Sequence, residues 1–188
     1  MTGTIVFWVI LGLFVFVVLY LIAAYNSLVG IRNLARNSWS QIDVQLKRRH
    51  DLIPNLVEAA KGYMGHERET FESVTRARSE AAGARGVQQV VQAESKLSEA
   101  ISRFMVTVES YPELKANQNF LAIQEELSST ENKIAFARQA YNDAVLMLNN
   151  KIEMFPSSII ANMFAFRKEV FFEMEDLSQR SVPKVSFR

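Results

Sequence analysis

The chain contains no cysteine in 188 residues. Disulfide staples, thiol catalysis, thiolate-bound metals and a lipidated cysteine are therefore excluded. Glycine and proline are scarce, at 7 and 4 residues, which argues against an all-β fold built on many tight turns. Histidine occurs only at His50 and His66, and neither has a glutamate three residues before it. The paired Glu-x-x-His motifs of carboxylate-bridged metal bundles are thus missing. So are a glycine-rich phosphate loop, a Gly-x-Ser-x-Gly elbow and a His-Glu-x-x-His segment. Charge is nearly balanced, 21 basic against 20 acidic residues, so the chain as a whole lacks the field of a nucleic-acid binder. These absences point away from an enzyme: no catalytic residue, cofactor or metal ligand is assigned, and no nucleic-acid partner is expected.

What the chain has in quantity is apolar sequence at its start. From Ile5 to Ala24 it reads IVFWVILGLFVFVVLYLIAA, without a charge or a proline. As a helix this run is about 30 Å long, the thickness of a bilayer's hydrocarbon core. Trp8 and Tyr20 lie near its two ends, where amphipathic rings favour the membrane interface. The leader Met1-Thr2-Gly3-Thr4 has no basic residue, and the run exceeds the apolar core of a secretory signal. The segment is read as a retained anchor. Arg32, Arg36, Lys47, Arg48 and Arg49 follow it with Asp43 as the only acid among them, which predicts a cytoplasmic body and a short external N-terminus.

Beyond the anchor the pattern stays helical. Trp39, Ile42, Leu46, Ile53, Leu56, Ala60, Tyr63, Phe71, Val74 and Ala77 recur at helical steps and predict one long helix. Pro54 is expected to kink it and to free the His50 carbonyl, and the run Ala81 to Gly86 is the first expected stop. A second helix is predicted from Val87 to about Glu109, with Val90, Leu97 and Phe104 spaced by sevens. Ser110-Tyr111-Pro112-Glu113 resembles a capping box for a third. That third helix carries Phe120, Leu127, Ile134, Tyr141, Leu148 and Phe155 at intervals of seven, with Ile123, Thr130, Ala137 and Ala144 in the adjacent row. Pro156 is expected to end it, Ser157 or Ser158 to cap a short apolar helix, and that helix to run to about Leu177. The expected fold is all-α: an N-terminal transmembrane helix continuing into a long-helix antiparallel bundle. The organisation is 1–4 external, 5–24 transmembrane, 25–177 cytoplasmic bundle and 178–188 irregular tail. The three long helices drawn this way extend about 85, 35 and 60 Å. Seams so unequal do not cover one another, so either one helix is broken or apolar surface remains for a second copy of the chain.

Several runs together resemble the bacterial LemA family. They are Tyr25-Asn26-x-Leu28-Val29 with Arg32-Asn33, the stretch from Trp39 through Leu46 and Pro54 to Val57, and Lys61-Gly62-Tyr63-Met64 with His66-Glu67. Pro112-Glu113-Leu114-Lys115-Ala116, Glu131-Asn132-Lys133-Ile134-Ala135-Phe136-Ala137-Arg138, Tyr141-Asn142, Phe155-Pro156 and Pro183-Lys184-Val185-Ser186-Phe187 complete the set. The resemblance covers nearly the whole chain. It implies an N-terminal membrane helix with a short external end, a helical-bundle body and a place in the bacterial inner membrane. It implies kinship with proteins of magnetosome membranes, and it brings no established enzyme activity.

Two groups of residues are candidates for interaction. Arg48, Asp51, Glu131 and Arg138 are expected to form a polar layer that fixes helix register. For the charged run Lys47 to Asp51, a solvated face or pairing with acids on a neighbouring helix is favoured over a lipid-headgroup site, since Lys47 lies about 35 Å beyond the anchor along a helix. Phe164, Phe166, Phe171 and Phe172 crowd the last helix beyond what one core stripe needs. A buried final bundle helix is slightly favoured, and the sharper reading is an interaction face for another protomer or for a membrane brought close. The function expected is that of a non-enzymatic, membrane-anchored scaffold or interaction module that self-associates as a homo-oligomer and organises or shapes membrane. Its partners are membrane lipids, through the N-terminal helix, and further copies of itself. The alternative is an accessory or sensor subunit that binds another membrane protein through residues 47–51 and the aromatic last helix.

Overall fold

The structure, a computed structural model, describes residues 2–173. The expectations for residues 174–188 lie outside that range. Among the described residues the fold is all-α, with six helices and no strand. They are α1 (Thr2–Lys61), α2 (Arg68–Gly83), α3 (Val87–Val108), α4 (Pro112–Lys115), α5 (Gln118–Glu153) and α6 (Ser157–Met163).

The helix α1 is continuous over 60 residues and passes Ala24 without a break. Among the described residues it alone is long and apolar enough to cross a membrane. Its side chains from Ile5 to Phe16 are exposed, including Trp8 and Phe14. Pro54 sits inside α1 without ending it. A proline has no N–H for the carbonyl four residues before it. The carbonyl so released belongs to His50, and the Arg78 Nε–H of α2 donates to it at 3.0 Å.

Four local expectations are corrected. The first long helix does not reach Gly86, because it stops at Lys61 and the chain turns through residues 62–67. Gly62 and Gly65 each disfavour helix by about 1 kcal/mol relative to alanine. Met64 turns under the helix end, where it is fully buried, and its N–H bonds the Ala60 carbonyl at 3.0 Å. Ser110 caps nothing at the third helix: Tyr111 precedes the single turn α4, and Asn117 caps α5 through its Oδ1, which accepts from the Phe120 N–H at 3.1 Å. The Ser157 hydroxyl does not cap α6 either. It donates to the carbonyls of Lys151 (2.7 Å) and Met154 (2.8 Å) and so closes the end of α5. Finally, the last helix ends at Met163 rather than near Leu177, and residues 165–173 are irregular. With α1 ending at Lys61, its length beyond Ala24 is about 55 Å, close to the roughly 54 Å of α5. A misplaced boundary thus accounts for the unequal seams.

The described residues divide into two compact units, 2–46 with 131–171 and 47–130 with 172–173. In the first unit, Ala24 and Leu28 of α1 pack with Leu148 and Ile152 of α5 and with Ile160, Ala161 and Phe166. Trp39 meets Tyr141 at 5.4 Å between ring centroids, so α1 and α5 run antiparallel here. The seven-residue seam of α5 is buried at Ile134, Tyr141 and Leu148, while Phe155 lies past the helix and is exposed. In the second unit, Ile53, Leu56, Ala60, Val74, Leu97, Phe104, Leu114 and Phe120 belong to one core around the α2–α3 hairpin.

Among the described residues, two have a positive φ. Gly86 (φ 76°) opens α3, where the lack of a Cβ makes that geometry easy. Ala165 (φ 53°) does the same at the end of α6. There the Phe166 N–H bonds the Ala161 carbonyl (2.9 Å) and the Ala165 N–H bonds that of Asn162 (3.2 Å). This is the Schellman closure, with Phe166 and Ala161 in the same buried cluster. An alanine in that position is strained by its Cβ. Ala165→Gly is therefore expected to stabilise the protein by about 1 kcal/mol, read as a rise in thermal midpoint.

Tyr141 offers a second test. Its hydroxyl donates to the Val170 carbonyl at 2.9 Å, and burial together with the Glu169 carboxylate pushes its pKa up to about 12. The folded protein thus holds this proton more tightly than the unfolded chain. The resulting stability is complete below about pH 10 and is lost as the pH rises toward 12. Phenolate absorbance is expected to show a tyrosine titrating near pH 12 that is absent from Tyr141→Phe.

Candidate functional site

The second unit holds a cluster of buried charge. Arg49 and His50 are consecutive on α1, and Glu94 and Ser98 are one turn apart on α3. Glu94 is 2% exposed, and its neighbours on the same face of α3 are Val90, Val91 and Leu97. His50 Nε2 lies 2.6 Å from Glu94 Oε1, and Arg49 Nη1 lies 3.3 Å from Oε2. The second guanidinium nitrogen of Arg49 donates to Ser98 Oγ at 2.8 Å. With the carboxylate ionised, this geometry assigns the Nε2 proton to His50 as donor. The backbone carbonyl of the same histidine receives Arg78 from α2. One residue, His50, therefore ties three helices together.

The chemistry of this arrangement is retention of charge. Buried ions demand close opposite partners, because little solvent screens or solvates them. Here a carboxylate takes two donors, and the Ser98 hydroxyl is engaged as an acceptor for Arg49. Such a cluster keys α1 against α3 in one register, since a shift of a single residue separates all three contacts. Among the described residues no group of three or more His, Asp or Glu is placed to hold a metal ion. Along the α2–α3 cleft, the acids Glu69, Glu72, Glu80 and Glu99 are interspersed with the bases Arg76, Lys96 and Arg103. Glu80 meets Lys96 there at 3.6 Å, a surface pairing with no net field for a ligand.

Of the residues expected to form a polar layer, Arg48 pairs with Glu126 in the second unit, and both are partly exposed. Asp51 is exposed in that unit; Glu131 (exposed) and Arg138 (half-buried) belong to the first. Within the charged run, Arg49 and His50 take acids on a neighbouring helix. Their partners Glu94, Ser98 and Arg78 escaped the sequence reading. A signal for Glu94 existed: it falls four residues after Val90 and three before Leu97, a lone acid on an apolar stripe.

The aromatic candidates separate in the structure. Phe164 is exposed and its ring lies 4.6 Å from that of Tyr25. Phe166 is buried, 6.0 Å from Tyr25 and beneath the Arg32 guanidinium at 4.9 Å. Phe171 is half-buried, and Phe172, in the second unit, is buried. Besides Tyr141, two titrating groups among the described residues are shifted. Partial burial pushes the Asp43 carboxyl up, opposed by its hydrogen bond with Trp39. The Tyr111 hydroxyl donates to Glu67 Oε1 at 3.0 Å, and that bond raises its pKa.

Comparison with known proteins adds an identity to this geometry. The LemA family model matches residues 38–187. The chain is similar to protein LemA of Metamycoplasma hominis, 25% identical over 95% of this chain and 80% of that protein. It is also similar to magnetosome protein MamQ 2 of Paramagnetospirillum magneticum, at 22% identity, covering 81% of this chain and 66% of the relative. Magnetosome protein MamQ of Magnetospirillum gryphiswaldense is 23% identical, with 81% and 65% covered. The chain thus spans just under two thirds of the length of these magnetosome proteins. None of the three names is that of an enzyme.

Removing the acid at the centre of the cluster leaves a buried arginine without its counter-charge. Glu94→Ala is expected to destabilise the protein by about 3–5 kcal/mol. A double-mutant cycle with Arg49→Ala, followed by denaturant unfolding of the detergent-solubilised chain, is expected to show coupling above about 1 kcal/mol.

Proposed function

The chain belongs to the LemA family, and from that premise we propose that it is a non-enzymatic, membrane-anchored protein whose helical body self-associates as a scaffold. Membrane association is supported by the apolar N-terminal part of α1, whose side chains from Ile5 to Val17 are exposed. The orientation proposed is a single pass with the body in the cytoplasm, on the strength of Arg32 and Arg36 just beyond the apolar run. Kinship with magnetosome proteins supports a role in organising membrane.

The observation that carries self-association lies in the first unit. Leu34 and Val44 of α1 and Phe136, Leu146 and Met147 of α5 are exposed although they sit on the body, beyond the apolar run. Isolated exposed apolar residues are ordinary, but Phe136 is 74% exposed on a helix otherwise patterned for burial. Copies confined to one plane meet at high effective concentration, so weak contacts of this kind suffice for extended assembly. The accessory-subunit reading draws less support, because Arg49 and His50 of the charged run are turned inward to Glu94.

The test is the particle size of the purified full-length chain in lipid nanodiscs and detergent, by mass photometry and electron microscopy. Large homomeric species are expected, and Phe136→Glu is expected to weaken assembly at least about tenfold, equivalent to 1.4 kcal/mol. Its thermal midpoint should stay near that of the parent, since an exposed substitution alters stability by about 0.5 kcal/mol or less. Monomers at every concentration would sink the scaffold reading.

A further inference from the structure

We infer that the corner between α5 and α6 is a second membrane contact: Met154, Phe155, Ile159, Met163 and Phe164 enter the interface of the bilayer that α1 leaves. The inference rests on the anchoring role proposed above and extends it from one spanning helix to the body itself.

Three observations in the first unit lead to it. The first is that α6 exposes apolar side chains beside the short polar strip of Ser158 and Asn162. Ile160 and Ala161 are buried against α1 and α5, while Ile159 and Met163, four residues apart on another face, are exposed. Phe155 is 81% exposed just before α6, Met154 is exposed beside it, and Phe164 is exposed just after. Five large apolar side chains within eleven residues of sequence thus meet solvent. A soluble surface does not gather them in this way without a partner.

The second observation is height. The buried face of α6 packs in the same cluster as Ala24 and Leu28, with Leu21 at its edge. Ala24 ends the apolar run, and Leu21 lies about 5 Å inside it. Measured along α1, α6 is therefore held where hydrocarbon gives way to headgroups.

The third is chemistry. The Tyr25 and Phe164 rings meet at a tilt, 4.6 Å between centroids, and the Arg32 guanidinium lies 4.9 Å from the centre of the Phe166 ring. Arg32 is about 12 Å beyond Ala24 along the helix, and Arg167 is exposed two residues after the left-handed Ala165. Apolar side chains first, aromatic rings next and cations beyond them is the order that a lipid interface selects. A second copy of the chain would satisfy the apolar surface equally well. The bilayer is the occupant favoured here, because the anchoring helix itself places the surface at its level.

The cysteine-free sequence makes the test direct. Single variants Met163→Cys, Ile159→Cys, Ile10→Cys and Ser102→Cys, each full length, carry a nitroxide label in proteoliposomes of mixed zwitterionic and anionic phospholipid. Accessibility to dissolved oxygen and to a water-soluble nickel chelate is then measured. Labels at 163 and 159 are expected to give an oxygen-to-chelate ratio several-fold above that at Ser102, approaching that at Ile10. Chelate access at 163 and 159 equal to that at 102, with Ile10 still in lipid, overturns the inference and leaves the anchor standing. Exclusion of both reagents at 163 and 159 overturns it in favour of a protein cover. A water-accessible label at Ile10 defeats the anchoring role itself.

Discussion

A helix that enters hydrocarbon must satisfy every backbone N–H and C=O within itself, because no water is there to do so. In this protein that constraint does not end with the apolar run. The same ladder of hydrogen bonds continues past Ala24 to Lys61, so the apolar run and the residues that α1 contributes to each compact unit belong to one helix. No linker interrupts α1 between the apolar run and Lys61. The rest of the chain is fitted to this helix. In the first unit α5 and α6 bury its small residues Ala24 and Ala35 or lie near them, and in the second α2 and α3 cover Ile53, Leu56 and Ala60.

Within the second unit, polar contacts decide how that fit is made. Apolar packing tolerates sliding, whereas a carboxylate held at 2.6 Å by one side chain and 3.3 Å by another does not. Hydrogen bonds at such distances are lost with a shift of one residue. The Pro54 interruption serves the same end: it strips one carbonyl of its helical partner, and Arg78 from α2 answers it. Buried charge of this kind adds little net stability over an apolar replacement, and its value lies in specifying one arrangement. The second unit is thereby given one definite arrangement of α1, α2 and α3.

Much of this was legible in the residues alone. The apolar run, the helical class, the seven-residue seam of α5 and the extent of α3 follow from periodicity, because a buried helical face must repeat near every 3.6 residues. Boundaries were less legible. Ala60 and Tyr63 kept the helical spacing across a turn that Gly62 and Gly65 had already weakened, and the pattern hid the break. Ser110 and Ser157 carry capping chemistry, yet Asn117 caps α5 and Ser157 closes it from the other end. A hydroxyl or amide can serve either terminus, and only the path of the backbone selects which.

The sequence by itself determined the class of the fold, the membrane-length helix and the family to which the chain belongs. These depend on composition and on local period, which are properties of the chain before it folds. Tertiary structure decided which charges are buried. Lys47 to Asp51 reads as one charged run, but its members separate into two inward residues, Arg49 and His50, and three exposed ones. That separation depends on where Glu94 arrives, 44 residues beyond His50, and no local pattern carries the distance. The aromatic residues after Phe155 divide in the same way: Phe166 is buried and Phe164 faces out, because α6 ends at Met163 and the left-handed Ala165 redirects the chain. A helical wheel drawn through that segment assigns their faces wrongly, since the face of a residue belongs to the backbone that carries it.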